Sequence, residues 1–282
     1  MTLQHPRIVN RFALFCYRKQ AVASLDSVSP IRIIGHGRKI VMQTESQIIS
    51  VNHNGTKLLG HLFSDAESKD PRPAVIVCHA WAGCDAFALK QAETMASLGY
   101  AGFAADLYGE GRVGTSTEEN AELMQPLVEN RGLLRERLRT IFNAVRELPQ
   151  VDTDRIAVIG YCFGGLCALD LARSGCPVVA TVSFHGLLTA ADSLATESIK
   201  GKVLVLHGHL DPMVSEDEII ALKRELSEAG ADWQVHIYGR ALHAFTNPQA
   251  NDRELGTIYD AVSAQRSEIS LKNILRESFT AQ

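Results

Sequence analysis

The sequence predicts an α/β fold with a mostly parallel, doubly wound sheet and helices on both faces of that sheet. Two observations predict it. Apolar runs of strand length alternate with amphipathic segments of helix length from residue 46 to residue 276, and such alternation implies βαβ units. Residues 74–79 (AVIVCH) form an apolar run, which is typical of a strand buried on both faces.

The amino-terminal part of this pattern begins with a hairpin. Residues 48–51 and 57–63 have the composition of strands, and Asn54-Gly55 between them is a favoured two-residue turn. The next predicted elements are a strand at 74–79, a helix at 86–98 that ends at Gly99, a strand at 100–106, and helices at about 118–128 and 132–148.

The carboxyl-terminal part continues the alternation of strands and helices. Strands are predicted at 155–160, 178–184, 202–207 and 233–238, and helices at 164–173, 216–229 and 254–276. The last helix is predicted from an apolar stripe of Leu255, Ile258, Tyr259 and Val262. Functional residues of such sheets lie at the carboxyl ends of the strands. We therefore expect the reactive side chains directly after the predicted strands.

Composition excludes several classes of function. The chain has 282 residues, of which 46% are hydrophobic and 21% charged, and its net charge is −4. These are globular values without a basic field for nucleic acid, and no apolar stretch approaches the roughly 20 residues that span a bilayer. The six cysteines lack paired C-x₂-C spacing. We therefore expect no disulfide framework, metal or cofactor, and a cytoplasmic protein that is a monomer or homodimer.

Residues 1–42 differ from the rest of the chain. They contain seven lysines and arginines and a single acid, Asp26. A basic, acid-poor start resembles an organelle-targeting peptide, and the alternative is a mis-assigned start with Met42 as the true first residue. We predict a disordered or absent extension at 1–42 and one domain at 43–282.

The strongest local motif is Gly160-Tyr161-Cys162-Phe163-Gly164-Gly165. It follows a predicted strand and opens a predicted helix, which is the setting of a nucleophile on a sharp strand-to-helix turn. Glycines on both sides give the turn room. The helix amino end leaves the Phe163 N–H free for an oxyanion and favours a Cys162 thiolate. The alternative is a buried structural cysteine.

An acid and a histidine complete a candidate triad in the chain order that this turn requires. Asp211 follows the strand at 202–207, and His243 follows the strand at 233–238. His243 would accept the thiol proton, and Asp211 would orient its ring. The second oxyanion donor is expected from the backbone of Ala80 or Trp81, after the strand at 74–79.

Other residues compete for these roles. His207 and His209 lie too early in the chain for the base, and Asp106, Asp152 and Asp154 are alternative acids. Asp106 is better explained as a hydrogen-bonding residue at a strand end, and Asp152 as a turn residue.

With these motifs the chain resembles the dienelactone hydrolase family. The resemblance covers residues 48–276 and rests on PAVIV at 73–77, DLYG at 106–109, GYCFGG at 160–165, LHG at 206–208 with Asp211, and HAF at 243–245. It implies an α/β-hydrolase fold without a metal, and the same triad of Cys162, Asp211 and His243. We expect the substrate pocket to involve Trp81, Tyr108, Glu110, Arg112, Tyr161, His185 and Phe245.

Three positions depart from the prototype of that family. Ala80 stands where family members often have a glutamate beside the nucleophile. Glu110 and Asn247 stand where two arginines hold the carboxylate of the substrate. An acid at position 110 would repel an anionic substrate, so we expect a neutral or differently shaped ester or lactone.

The sequence therefore predicts a hydrolase that cleaves a small ester or lactone through a thioester. The alternative is an α/β-hydrolase-fold binding or interaction protein that has lost its chemistry. A redox pair of Cys162 and Cys167 is disfavoured, because residues five apart on a helix do not face each other.

Overall fold

A computed structural model describes residues 43–68 and 70–280 of the chain. The prediction for residues 1–42 lies outside the described residues. The strands are β1 (Thr44–His53), β2 (Thr56–Asp65), β3 (Arg72–Cys78), β4 (Ala101–Ala105), β5 (Val151–Tyr161), β6 (Ala180–Phe184), β7 (Lys202–Gly208), β8 (Asp232–Tyr238), β9 (Asn251–Asp252) and β10 (Thr257–Ile258). The helices are α1 (Ala86–Ser97), α2 (Thr117–Glu129), α3 (Arg131–Arg146), α4 (Phe163–Arg173), α5 (Glu216–Glu228) and α6 (Ala261–Thr280).

The first eight strands form one sheet in the order β1-β2-β4-β3-β5-β6-β7-β8. Strands β3 to β8 run parallel, and the hairpin of β1 and β2 joins antiparallel through β4. The strand order reverses around β3, as in a doubly wound sheet. The predicted fold class is confirmed.

The sheet separates two apolar cores. Helices α2, α3, α4 and α5 pack on one face, where β3 contributes Ala74, Ile76 and Cys78. Helices α1 and α6 pack on the other face against Val75 and Val77. Alternate residues of a strand point to opposite faces, so a central strand that is covered on both sides must be apolar at every position.

The prediction for the closing helix was wrong at its start. Helix α6 begins at Ala261 rather than at residue 254, and β9 and β10 pair antiparallel before it. The Asp252 carboxylate accepts the N–H groups of Glu254 and Leu255, Gly256 adopts φ 69°, and Asp260 accepts the Ser263 N–H at the helix start. These turn and capping interactions outweigh the apolar periodicity. The predicted stripe of Leu255, Ile258, Tyr259 and Val262 is therefore not one face of a helix, and Val262 is 41% exposed.

A buried cluster of charged side chains joins three helices on the larger face. Asp170 of α4 is fully buried and accepts two hydrogen bonds of 2.6 Å from Arg131 of α3. Arg173 pairs with Glu225 of α5 at 2.8 Å and with Asp170 at 3.4 Å. Arg131 also donates to the carbonyl of Thr189. The cluster therefore ties the three helices to the long segment between β6 and β7, which contains no helix.

We expect Asp170→Asn to lower the free energy of unfolding by about 3–5 kcal/mol, because it leaves buried guanidinium groups without their countercharge. Urea unfolding followed by circular dichroism measures this. The control is Glu93→Gln, which removes an exposed ion pair with Lys90 and should cost no more than about 0.5 kcal/mol. Equal losses for the two variants would mean that the cluster contributes nothing beyond a surface pair.

Candidate active site

The turn between β5 and α4 holds Cys162 in a backbone conformation that non-glycine residues rarely adopt. Its φ is 57° and its ψ is −117°. A Cβ at Gly160 would lie 1.8 Å from the Gly164 carbonyl oxygen, and one at Gly164 would lie 2.1 Å from the Cys78 carbonyl oxygen. Only glycine fits at either position, as the sequence predicted. The turn brings α4 against the end of β3 with Cys162 at its apex.

The three residues of the candidate triad lie together at the carboxyl ends of β5, β7 and β8. The Asp211 Oδ2 atom lies 2.7 Å from His243 Nδ1, and the other Asp211 oxygen accepts the Met213 N–H at 2.9 Å. Cys162, Asp211 and His243 are 6%, 5% and 1% exposed. His243 Nε2 has no hydrogen-bond partner in the described part of the chain. Cys162 nevertheless lies close enough to raise the pKa of His243.

Burial and charge act in opposite directions on this histidine and its acid. Burial lowers the pKa of His243, but the Asp211 carboxylate and Cys162 outweigh it and hold that pKa well above its ordinary value. Burial raises the pKa of Asp211, but the charge of His243 and hydrogen bonds from His243 and Met213 bring it below its ordinary value. The charged forms of both groups are therefore favoured together.

The small hairpin of β9 and β10 supports His243 from behind. The His243 N–H donates to the Gly256 carbonyl at 3.0 Å, and the Ile258 N–H donates to the His243 carbonyl at 3.1 Å. His243 also forms a parallel bridge with Thr257. The segment that sequence periodicity assigned to a helix is thus the backbone support of the candidate base.

The loop after β3, where the second oxyanion donor was predicted, is held by two buried side chains. The Leu107 N–H donates to His79 Nε2 at 3.2 Å, so the proton of the neutral ring is on Nδ1, which donates to the Ala80 carbonyl at 2.6 Å. Burial lowers the pKa of His79, in accord with a neutral ring. The Tyr108 hydroxyl donates to the Trp81 carbonyl at 2.7 Å. No sequence pattern predicts these roles of His79 and Tyr108.

Asp106 shapes the neighbouring loop, which carries Tyr108. Its buried carboxylate accepts four backbone N–H groups at 2.8 to 3.1 Å, those of Leu59, Tyr108, Gly109 and Gly111. The predicted role of Asp106 as a hydrogen-bonding residue at a strand end is confirmed. The other alternative acids are also engaged elsewhere: Asp152 pairs with Arg155 at 2.7 Å, and the side chain of Asp154 is 87% exposed.

The amino end of α4 is open towards Cys162. Side chains of Asp85, Ser116, Asn130 and Ser215 cap α1, α2, α3 and α5, whereas Cys162 at the start of α4 makes no capping hydrogen bond. The first N–H groups of a helix have no carbonyl partner within the helix. The Phe163 N–H is the first of them in α4, so this end can accept a developing negative charge.

Three of the predicted pocket residues are almost fully buried. Tyr108, Tyr161 and Phe245 are 1%, 3% and 0% exposed. The Tyr161 ring stacks on Phe184 at 4.5 Å between centroids, and its hydroxyl donates to Gln91. Tyr161 and Phe245 lie in the core under α1 and α6. Tyr161 precedes Cys162 at the end of β5, and neighbouring positions of a strand point to opposite faces of the sheet. The part of Tyr108, Tyr161 and Phe245 in a substrate pocket stays a prediction.

The polar side chains considered as substrate contacts are bound to backbone groups. Arg112 donates to the carbonyls of Tyr108 at 2.5 Å and Gly109 at 3.2 Å. Glu110 is exposed, and its carboxylate accepts the Lys57 N–H at 3.2 Å. The side-chain oxygen of Asn247 accepts the Gln249 N–H. Trp81 is half-buried.

His185 is buried behind the candidate base. It is 2% exposed, and its ring centroid lies 5.2 Å from that of His243 with an edge-to-face angle of 65°. Cys162, His185 and Ala244 have φ values of 57°, 38° and 56°. Left-handed backbone at three residues around one site is a strain that functional sites often retain.

A cavity of about 330 Å³ lies elsewhere, between α1 and α6. Its lining includes Gln91, Tyr161, Phe184 and Thr246, but neither Cys162 nor His243. Within residues 43–68 and 70–280, no group of three or more His, Cys, Asp or Glu side chains is arranged to hold a metal ion. No helix in the described part of the chain is long and apolar enough to cross a membrane.

Comparison with known proteins places the chain among hydrolases. The model of the dienelactone hydrolase family matches residues 60–279. A metagenomic dienelactone hydrolase-like promiscuous phosphotriesterase, P91, has a solved structure that is 33% identical with a TM-score of 0.78, covering 84% of this chain and 99% of that one. The solved structure named m3DLH is 35% identical with a TM-score of 0.80 and the same coverage. A putative carboxymethylenebutenolidase of Aquifex aeolicus is 28% identical over 214 residues, 73% of this chain and 89% of the relative.

We expect Gly164→Ala to lower the free energy of unfolding by about 1–3 kcal/mol, because the new methyl group meets the backbone oxygen of Cys78, which cannot move aside cheaply. Urea unfolding measures the loss. Gly239→Ala is the control, since nothing lies within 4 Å of a Cβ there. If both variants are as stable as the parent, the turn tolerates a side chain and its close approach is not a constraint.

Proposed function

Because the chain belongs to the dienelactone hydrolase family, and is thus an ester or lactone hydrolase, we propose that it cleaves a neutral carboxylic ester or lactone with Cys162 as nucleophile, His243 as base and Asp211 as the residue that orients His243. One observation carries the proposal. The ring of His243 is bound through Nδ1 to Asp211, its other nitrogen has no hydrogen-bond partner among the described residues, and Cys162 lies close enough to raise the pKa of His243.

The first half of the reaction forms a thioester. His243 Nε2 accepts the thiol proton of Cys162, and the sulfur adds to the carbonyl carbon of the substrate. The negative oxygen is received by the Phe163 N–H and by a backbone N–H of the Ala80–Trp81 loop. One such donor contributes roughly 3 kcal/mol to the transition state. The intermediate then collapses, and the alkoxide leaves with the proton from His243.

The second half releases the acid. His243 accepts a proton from a water molecule as the water oxygen adds to the thioester carbonyl. Collapse of this second intermediate expels the Cys162 sulfur, which regains a proton from His243. A lactone follows the same course, except that its alcohol remains part of the acyl group, so the single product is a hydroxy acid.

The groups proposed to act on the nucleophile are His243 and the amino end of α4. Ala80 supplies no carboxylate next to Cys162. The other nearby thiols are less suited to react, because burial raises the pKa of Cys78 and of Cys84 to about 12 and that of Cys167 well above its ordinary value.

The surroundings of the site favour a substrate without a negative charge. Glu110 presents an exposed carboxylate on the loop after β4. Arg112 is held by loop carbonyls, and Arg240 pairs with Asp260 at 3.2 Å. Arg112 is thus engaged by its own loop and Arg240 by a carboxylate, and the Glu110 carboxylate would repel an anionic substrate.

We expect Cys162→Ala to lower kcat/KM for p-nitrophenyl esters and lactones about a thousandfold or more, since the triad acts as a unit. Initial rates for a panel that also contains a phosphotriester measure this, because a relative bears that activity in its name. Cys167→Ala, on the same helix and also buried, should stay within about threefold of the parent. Equal activity of the parent and Cys162→Ala would remove Cys162 as nucleophile, and no activity in either would favour a binding protein.

We expect an ester with a free carboxylate to be a poorer substrate than its neutral methyl-capped analogue. Glu110→Gln should narrow the ratio of the two kcat/KM values by about two- to fivefold at low salt, the size of a solvent-exposed charge effect. The control is Glu147→Gln. Glu147 precedes β5, so it lies towards the amino ends of the parallel strands, whereas the candidate triad lies at their carboxyl ends. If Glu110→Gln leaves the ratio of the two kcat/KM values as unchanged as Glu147→Gln does, the role given to Glu110 is contradicted.

A further inference from the structure

The end of β6 supports both the candidate nucleophile and the candidate base. The Cys162 N–H donates to the Phe184 carbonyl at 3.0 Å. The next residue, His185, packs edge to face against the His243 ring. Two consecutive residues of one strand end therefore contact the two groups that must exchange a proton.

His185 is itself held in place from several sides. Its Nε2 lies 2.8 Å from the Thr246 Oγ1. Its ring also packs edge to face on Phe245 at 5.2 Å, and its N–H donates to the Leu206 carbonyl at 2.8 Å. Thr246 follows His243 by three residues, so the hydrogen bond closes the loop of the candidate base back onto β6.

The ring of His185 is neutral. Burial and then the charge of His243 lower the pKa of His185 well below its ordinary value. His185 Nδ1 is buried without a partner among the described residues. A buried unpaired acceptor is the cheaper alternative to a buried unpaired N–H, so the proton is on Nε2 and is donated to Thr246. A neutral ring can lie against a charged His243 without repulsion.

The contact of His185 with the His243 ring restricts a rotation that Asp211 alone does not restrict. The hydrogen bond to Asp211 fixes one ring atom, but it leaves the ring free to tilt about that bond. A packed aromatic neighbour on the ring removes this freedom, and a small misplacement of a catalytic group can lower a rate by up to about a hundredfold.

We propose that His185, held by its hydrogen bond to Thr246, is a positioning residue that fixes the plane of the His243 ring towards Cys162. This inference rests on the proposed triad. It assigns a function to a histidine that the sequence analysis predicted only as a pocket residue, and to a threonine that no sequence pattern singles out.

The test compares Thr246→Val with Thr246→Ser. Valine keeps the shape of threonine but cannot bind His185, and serine can. We expect Thr246→Val to lower kcat for a neutral p-nitrophenyl ester about tenfold with KM within about twofold, and Thr246→Ser to restore most of the loss. His185→Phe, which keeps an aromatic ring but not the hydrogen bond, should behave like Thr246→Val.

A second readout separates positioning from general stability. The rate of Cys162 alkylation by iodoacetamide, followed by mass spectrometry across pH, reports the pairing of Cys162 with His243 without any substrate. We expect its midpoint to move to higher pH in Thr246→Val and to return in Thr246→Ser. The titratable groups that face His243 are Asp211, Cys162, His185 and His207, and only the position of His185 is altered by these variants.

The matched control is Thr94→Val. Thr94 is also half-buried and lines the same cavity as Thr246, but its hydroxyl donates to the Lys90 carbonyl. It should match the parent in kcat and in the alkylation profile. A Thr246→Val protein with parental kcat and parental alkylation midpoint overturns the inference, as does a loss of kcat that Thr246→Ser does not restore. Turnover that survives in Cys162→Ala would instead overturn the proposed function.

Discussion

The active region of this protein depends on the close approach of α4 to the ends of β3 and β5. The approach is possible because Gly160 and Gly164 have no side chains, and added Cβ atoms would lie 1.8 and 2.1 Å from backbone oxygens. The same approach forces Cys162 into a left-handed conformation and leaves the first N–H groups of α4 without a capping side chain. A strained backbone and an open helix end are costs in stability. Under the proposed mechanism, both become useful, because the site would receive negative charge on a substrate oxygen.

The second constraint is the burial of Asp211 and His243. Hydrogen bonds from the surrounding loops make this burial possible. A charged pair such as Asp211 and His243 is stable inside a protein only if its hydrogen bonds are satisfied. The Met213 N–H donates to the Asp211 oxygen that does not bind His243, and the hairpin of β9 and β10 binds the backbone of His243. On the other side, Asp106 organises the loop after β4, and His79 and Tyr108 hold the loop after β3. Buried polar side chains thus replace regular secondary structure where the strands end.

The same principle operates away from the site. The connection between β6 and β7 has no helix to cover the sheet. Arg131 and Arg173 donate to carbonyls of that segment while pairing with Asp170 and Glu225. This network fixes the segment against α3, α4 and α5. It also keeps β6 in position, and the end of β6 contacts both Cys162 and His243.

The sequence by itself determined the alternation of strands and helices, the turn at Cys162 and the order of Cys162, Asp211 and His243. These features are local: a glycine pattern, an apolar period and a residue after a strand can be recognised within a few positions. Only the tertiary structure decided which side chains face the site. Tyr161 turns into the core because neighbouring positions of a strand alternate across the sheet. Residues 251–258 form a hairpin because turn and capping hydrogen bonds outweigh their apolar spacing. The contacts of His79 with Leu107 and of His185 with Thr246 join residues 28 and 61 positions apart, and no pattern within a short window of sequence contains them.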